Sequence, residues 1–455
     1  MSKSWFVIFR VVFALAISSL LVTGCGNSGG MAMMQPAPQP ILQPDPAPQP
    51  TPAPQPTPAP QPTPQPAPQP APTPTPQPTP TPPVPPDPAP QPAPAPQPTP
   101  DPTPPAPTPT PTPVPTVAPQ FAIVANQDNT ISTFSIDSAT GALHGRGSVT
   151  SGGSTPISIA VDSTGHFAYV ANVIAGDISV FSIDANTGTL TAVGSPVAAG
   201  LRPRSVVVHP KGKFVFVANE GSNDIYTYAI DPSTGSLTQV GSPLPTGRAP
   251  LSLAMDPAGK FAYAVNSDFN TVSLFTVDQN TGALAESGSP VAVGEDPEFL
   301  MVHASGKFVY VADTVSQAIS VLAVDATNRK LTPLGDPVPT SGTFPRAIAG
   351  DPSGRFLYVA NFVTGDICAY KVDAMTGSLS PIGVRVPTGA GPGSLNVDPS
   401  GKYLLVANSQ SYNLSVFAID PNTGAITSAG QPTPTGERPS SVVTIGKLTT
   451  AVPAN

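Results

Sequence analysis

The stretch RPRSVVVHPKGKFVFVANEGSNDIYTYAIDPSTGSLTQVG, Arg202 to Gly241, holds four short apolar runs, with one tight turn between the first two and another between the last two. The first run, Ser205 to His209, meets a turn at Pro210-Lys211-Gly212-Lys213. Proline presets φ for a turn and glycine supplies the positive φ that follows. Phe214 to Ala218 is β-branched and aromatic, the composition of a buried strand. Asp224 to Ile230 reads as a third strand ending at Asp231, Thr234-Gly235 closes the next turn, and Ser236 to Val240 gives an outer strand.

The pattern recurs. Val-Ala-Asn or a close variant ends at Asn126, Asn172, Asn219, Asn266, Asp313, Asn361 and Asn408, a spacing of 46 to 48 residues. A period in the mid-forties built only from short strands predicts an all-β, seven-bladed propeller with four-stranded blades. Aspartate follows the third strand in every copy, at Asp137, Asp184, Asp231, Asp278, Asp325, Asp373 and Asp420. A residue repeated beside every turn is expected to cap local backbone N–H groups rather than bind metal. Thr-Gly follows in six copies, and the fifth reads Asn328-Arg329-Lys330 instead. Phe121 to Asn126 is a second strand without a first, and Ser440 to Ile445 a first strand without a second. Their pairing is expected to close the ring and remove its open edges.

Composition divides the chain before the repeats begin. Lys3 and Arg10 precede the apolar run Val11 to Val22, and Val22-Thr23-Gly24-Cys25 places small residues before a cysteine. The run is shorter than the ~20 residues of a membrane span. These residues resemble the signal and lipobox of bacterial lipoproteins, which implies lipidation at Cys25 and an outer-membrane, cell-envelope location. From Gln35 to Pro119 proline falls at about every second position. Such a segment has no apolar face and lacks ladder donors, so a polyproline II spacer reaching on the order of 250 Å is expected. The expected organisation is therefore a signal segment over 1–24, a lipidated start and linker over 25–119, a propeller over 120–446 and a tail over 447–455.

Without Lys3 and Arg10 the chain carries 17 Lys plus Arg against 27 Asp plus Glu, an acidic balance that argues against nucleic acid. With Cys25 assigned to lipid, Cys368 is left without a disulfide partner and reads as a core thiol. No cofactor is expected: no phosphate-binding loop and no Cys/His metal spacing is present. Gly26-Asn27-Ser28-Gly29-Gly30 matches a hydrolase pattern only on paper, because it lies outside any strand–helix context.

The run Phe308-Val-Tyr-Val-Ala, with Asp-Pro-Ser-Gly-type turns before the equivalent strands, resembles the YVTN-type repeat and the wider lactonase-like seven-bladed propellers, over Phe121 to about Ile445. That resemblance implies the propeller fold and opens a lactonase activity of the 6-phosphogluconolactonase or carboxymuconate-lactonizing kind. Relatives of the latter kind use an Arg and a Glu at positions matching Arg204 and Glu220. Arginine binds carboxylate bidentately and glutamate moves a proton. Arg346 repeats the Pro-Arg arrangement, Glu298 follows Pro297, and Asp313 replaces the usual asparagine, which makes the three expected substrate contacts. Ser205 stands where relatives commonly place His, and His144, His166, His209 and His303 do not cluster. A lipid-anchored binding module, with a protein or small-molecule partner at the central face, is therefore the first expectation, and a sugar- or organic-acid lactonase the alternative.

Overall fold

The computed structural model describes residues 116–449. The expected signal segment, Cys25, the linker up to residue 115 and the tail beyond 449 lie outside the described residues. Seven antiparallel sheets follow one another, each a blade whose first strand is innermost. In the blade of the opening stretch these strands are Pro203–Val208, Phe214–Asn219, Asp224–Ile230 and Leu237–Gln239. Closure follows the expected route. Thr116–Asn126 pairs antiparallel with Pro439–Thr449, with Ile123 opposite Val443, so both chain ends build one blade. This pair extends beyond 120–446 at both ends.

The short turns explain why the sequence folds this way. Asp184 Oδ1 accepts from the N–H groups of Asn186 and Thr187 at 2.9 and 2.8 Å. Those bonds, Thr187 first, hold its carboxyl below the ordinary carboxylate range. Asp231, Asp278, Asp373 and Asp420 repeat the geometry. In the fifth blade Arg329, where the other copies have glycine, adopts φ 53°.

The outer strand departs from expectation. In five blades it breaks at a Gly-Ser-Pro-like kink, and a two-residue piece then pairs with the same third strand. Leu237 thus lies opposite Ile230, and Leu244 opposite Ile225. In the first and sixth blades the strand runs unbroken, over Leu143–Thr150 and Leu379–Pro387.

The core lies between blades rather than within them. Seven clusters of buried apolar side chains are each shared by two neighbours, as where Tyr169 and Val180 meet Val206 and Val217. Second strands are covered on both faces, so Phe214 to Asn219 is buried at every position. That double coverage is why the sequence reads as a continuous apolar run instead of alternating. Each large side chain so buried contributes roughly 1.5–3 kcal/mol. Cys368 is buried within one such cluster, 3.2 Å from Asn361 Nδ2, and is a core thiol as expected.

Candidate functional site

The face that carries the site is set by strand direction. Every first strand begins, and every second strand ends, on the same face of the ring; Pro203 lies opposite Asn219. The Gly-x-x-Pro segments lead onto this face. Gly200 is required there because a Cβ would lie 2.6 Å from the Asn219 side chain. Arg202, just before the proline, takes φ 55° and turns the chain so that its carbonyl accepts from Glu220 N–H at 3.0 Å.

At this point the ladder slips. Asn219 pairs with Pro203 and Ala218 with Ser205, which leaves Arg204 as an unpaired bulge residue. The same slip leaves out Ile157, Leu251, Glu298, Arg346, Gly393 and Ser440 in the other six blades. Bulges re-aim side chains. Here they aim one residue per blade at the axis, and all seven line a single central cavity of about 100 Å³. That space suits a small cluster of waters or a carboxylate-sized group; whole drug-sized ligands occupy pockets several times larger.

The charged members form two ion pairs. Arg346 Nε stands 3.0 Å from Glu298 Oε2, across the junction of adjacent blades. Its guanidinium lies over the Phe362 ring, 4.7 Å from the centroid, which fixes its orientation. Arg204 Nε stands 3.6 Å from Glu220 Oε2, and Arg202 approaches the same oxygen at 3.3 Å. Burial holds the Arg204 guanidinium below its ordinary value; Arg346 and Arg202 add to that shift, while Glu220 and Glu298 oppose it. The two pairs therefore share one electrostatic field. Three arginines face two glutamates, an excess of positive charge on a chain whose net charge is −8.

The next residue inward is serine in five blades. Ser158, Ser205, Ser252, Ser394 and Ser441 each accept, through Oγ, from a backbone N–H of the neighbouring first strand at 3.1 to 3.3 Å. These hydroxyls join the blades together and are not set up as nucleophiles, because no histidine lines the cavity. Phe299 and Ala347 interrupt the series where Glu298 and Arg346 stand. His209 and His303 lie at the Asp-Pro-Gly turns on the opposite face, with Nε2 3.1 and 2.7 Å from the Gly259 and Gly354 carbonyls.

Of the residues expected from sequence, Arg204, Glu298 and Arg346 line the cavity, and Glu220 stands behind Arg204. Asp313 stands elsewhere. It is fully buried at the end of its second strand, where Ser320 Oγ donates to Oδ2 at 2.6 Å and Oδ1 has no partner. Burial raises its pKa to about 7. Arg202 and Phe362 were missed by sequence reasoning. Their signal is position: one residue before the conserved-in-repeat proline, and one after the repeat asparagine.

A family model described as "Lactonase, 7-bladed beta-propeller" matches residues 117–202, 202–300, 299–391 and 367–444. Among solved structures, a candidate 6-phosphogluconolactonase from Bacteroides uniformis is similar with a TM-score of 0.62 at 21% identity, covering 72% of this chain and 100% of its own. The periplasmic gluconolactonase of Pseudomonas aeruginosa gives 0.61 at 22%, covering 72% and 99%. At such identities the likeness speaks for the fold. No curated protein matches. With family matches running through all seven blades whose inner strands wall the cavity, the chain belongs to the lactonase family of seven-bladed β-propellers.

Proposed function

We propose that the central mouth hydrolyses a lactone bearing an anionic group. One observation carries this reading: three of the seven bulge residues are Arg204, Glu298 and Arg346, and all three face one cavity. Family membership supports the reaction class, and the neighbouring gluconolactonases favour it over the binding module expected first.

Glu298 is the better-placed base. Glu220 is engaged by two guanidinium groups and is not part of the cavity wall, so its role is to hold Arg204 in place. Arg346 engages Oε2 of Glu298, and Oε1 takes a proton from water as the water oxygen bonds to the lactone carbonyl carbon. The oxyanion that forms is stabilised by the arginine field. The ring C–O bond then breaks, and the leaving alkoxide takes the proton back from Glu298. One lactone and one water yield one hydroxy acid.

The test is proton release from a panel of sugar-acid and phosphosugar lactones, corrected for spontaneous opening. Turnover by the wild type that falls at least about 100-fold in Glu298→Gln supports the assignment, following the typical size of general-base catalysis. No turnover above background on any member would remove it. Lipidation at Cys25 and an envelope location belong to this reading as proposals from sequence, and incorporation of labelled palmitate lost in Cys25→Ala is their check.

A further inference from the structure

The turn between the third and outer strands carries glycine in six blades because it rests on a ring of the preceding blade. A Cβ at Gly188 or Gly282 would lie 2.6 Å from Phe121 or Phe214. The fifth blade has Arg329 at this position, so its turn cannot settle in that way on Phe261, the equivalent ring of the fourth blade. Its ladder instead runs one pair further, to Asp325 opposite Lys330. The carbonyls of Gly377 and Gly424 accept from Tyr310 and Tyr358 of their preceding blades. The Arg329 carbonyl accepts from Ser287 Oγ, just past the outer strand of the fourth blade, at 3.1 Å. A groove of about 400 Å³ lies at this junction, and it shares no residue with the central cavity.

The groove has a cationic lip and an apolar floor. Arg329-Lys330 is the only pair of adjacent cationic residues in the sequence, and both line the groove beside Asn328, Ser287 and Ser289. Arg202, Arg204, Arg248, Arg346 and Arg385 each stand in an ion pair; among the described residues Arg329 and Lys330 stand in none. The carboxylates nearby in sequence are engaged elsewhere. Asp325 accepts from the N–H groups of Thr327 and Asn328 and from the Asn328 amide, and Glu286 Oε1 accepts from Ser273 Oγ. Neither lines the groove. Leu274, Leu331 and Val291 form the floor and pack together in one inter-blade cluster, so the apolar surface is continuous. A left-handed arginine costs stability at a position where glycine is free, and strain of that kind is kept where a function needs the side chain.

We propose that this groove binds an organic phosphomonoester, its dianionic head between Arg329 and Lys330 and a compact ring or alkyl body over Leu274, Val291 and Leu331. Two cations without a carboxylate partner match a doubly charged head better than a carboxylate. The tetrahedral head also offers three oxygens to the guanidinium fork, the ammonium and the neighbouring amide and hydroxyl donors. Inorganic phosphate alone would leave most of the volume unfilled and the floor uncovered. The site is independent of the reaction proposed for the mouth.

Calorimetric titration of the full chain with phenyl phosphate, inorganic phosphate and benzoate tests the assignment. Phenyl phosphate should bind about tenfold tighter than inorganic phosphate, through the floor, and about tenfold tighter than benzoate, through the second charge. Its affinity should fall about tenfold from about pH 7.5 to about pH 5, as the head takes up a proton with a pKa of about 6. Arg329→Gly combined with Lys330→Ala restores the residues of the fourth blade. This variant should bind phenyl phosphate at least about tenfold more weakly, melt no lower than the wild type and keep any lactone turnover unchanged. Arg204→Ala, in the mouth, should leave the binding of phenyl phosphate unaltered. Loss of binding in Arg204→Ala but not in the double variant would place the anion in the mouth and overturn the proposal. Equal affinities for phenyl and inorganic phosphate, no saturable binding, or retention on phosphatidic acid vesicles without binding of phenyl phosphate would overturn it as well.

Discussion

Arg346 Nε lies 3.0 Å from Glu298 Oε2, and the two residues come from the bulges of adjacent blades. Neither residue is placed by its own blade alone. The pair exists because two neighbouring first strands slip their ladder at the same register, and Phe362 then stacks on the arginine to hold it there.

Arg346→Lys tests that dependence. A lysine keeps the charge but loses the planar contact with Phe362 and the directed Nε bond. Lactone hydrolysis should fall about tenfold, with a melting temperature within a few degrees of wild type. Partly exposed pairs of this kind contribute only about 1 kcal/mol to stability. Wild-type kinetics in the lysine variant would show that charge alone suffices.

Asp313 gives a pH-dependent prediction. Burial raises its pKa in the folded chain to about 7, from the ordinary carboxylate value of 3.8. The folded state therefore holds the proton more tightly than the unfolded state does. The resulting stability is complete below about pH 4 and is lost as pH rises through about 7. Asp313→Asn restores the amide found in the other six blades and removes the dependence. Urea unfolding should show little gain at pH 4 and roughly 2–4 kcal/mol at pH 8. Equal gains at both values would mean that the carboxyl does not titrate in that range.

Arg329 occupies a left-handed conformation, φ 53°, at the turn position that is glycine in the other six blades. A non-glycine residue there costs roughly 1–2 kcal/mol. Arg329→Gly should stabilise the fold by about 1 kcal/mol, since the glycine's extra freedom in the unfolded chain offsets part of the relief. A lower melting temperature would show that contacts of the arginine outweigh its strain.

The closing strand makes the strongest stability prediction. A chain ending at Pro439 loses the innermost strand opposite Phe121 to Ala125 and exposes two inter-blade clusters that include Val442, Val443 and Ile445. Cooperative unfolding should disappear or its midpoint drop by more than 10 °C, on the order of several kcal/mol of lost apolar burial. An unchanged melting curve would contradict closure by the termini.

Much of this architecture was legible in the sequence because repetition averages out local ambiguity. Seven copies of Val-Ala-Asn or a close variant, of the aspartate turn and of the apolar second strand fix blade count, strand order and closure. The broken outer strands were not legible, since a two-residue pairing such as Val197–Ala198 has no period to read. Within the site, charge singled out Arg204, Glu298 and Arg346, because a charge peculiar to one copy cannot be serving the repeat. Their common feature, the bulge after proline, depends on cross-strand register, which no single strand reveals. The same limit applies to Asp313. Its sequence anomaly is real, but the carboxyl faces Ser320 inside the blade instead of the cavity.

The most direct test of the central claim is the steady-state rate of lactone opening by wild type, Glu298→Gln and Glu220→Gln at matched folding. If the central mouth acts as described, the wild type turns over, Glu298→Gln retains about 1% or less, and Glu220→Gln keeps a larger residual rate, because it disturbs the placement of Arg204 but leaves the base intact. Turnover in Glu298→Gln equal to that of the wild type would contradict the account.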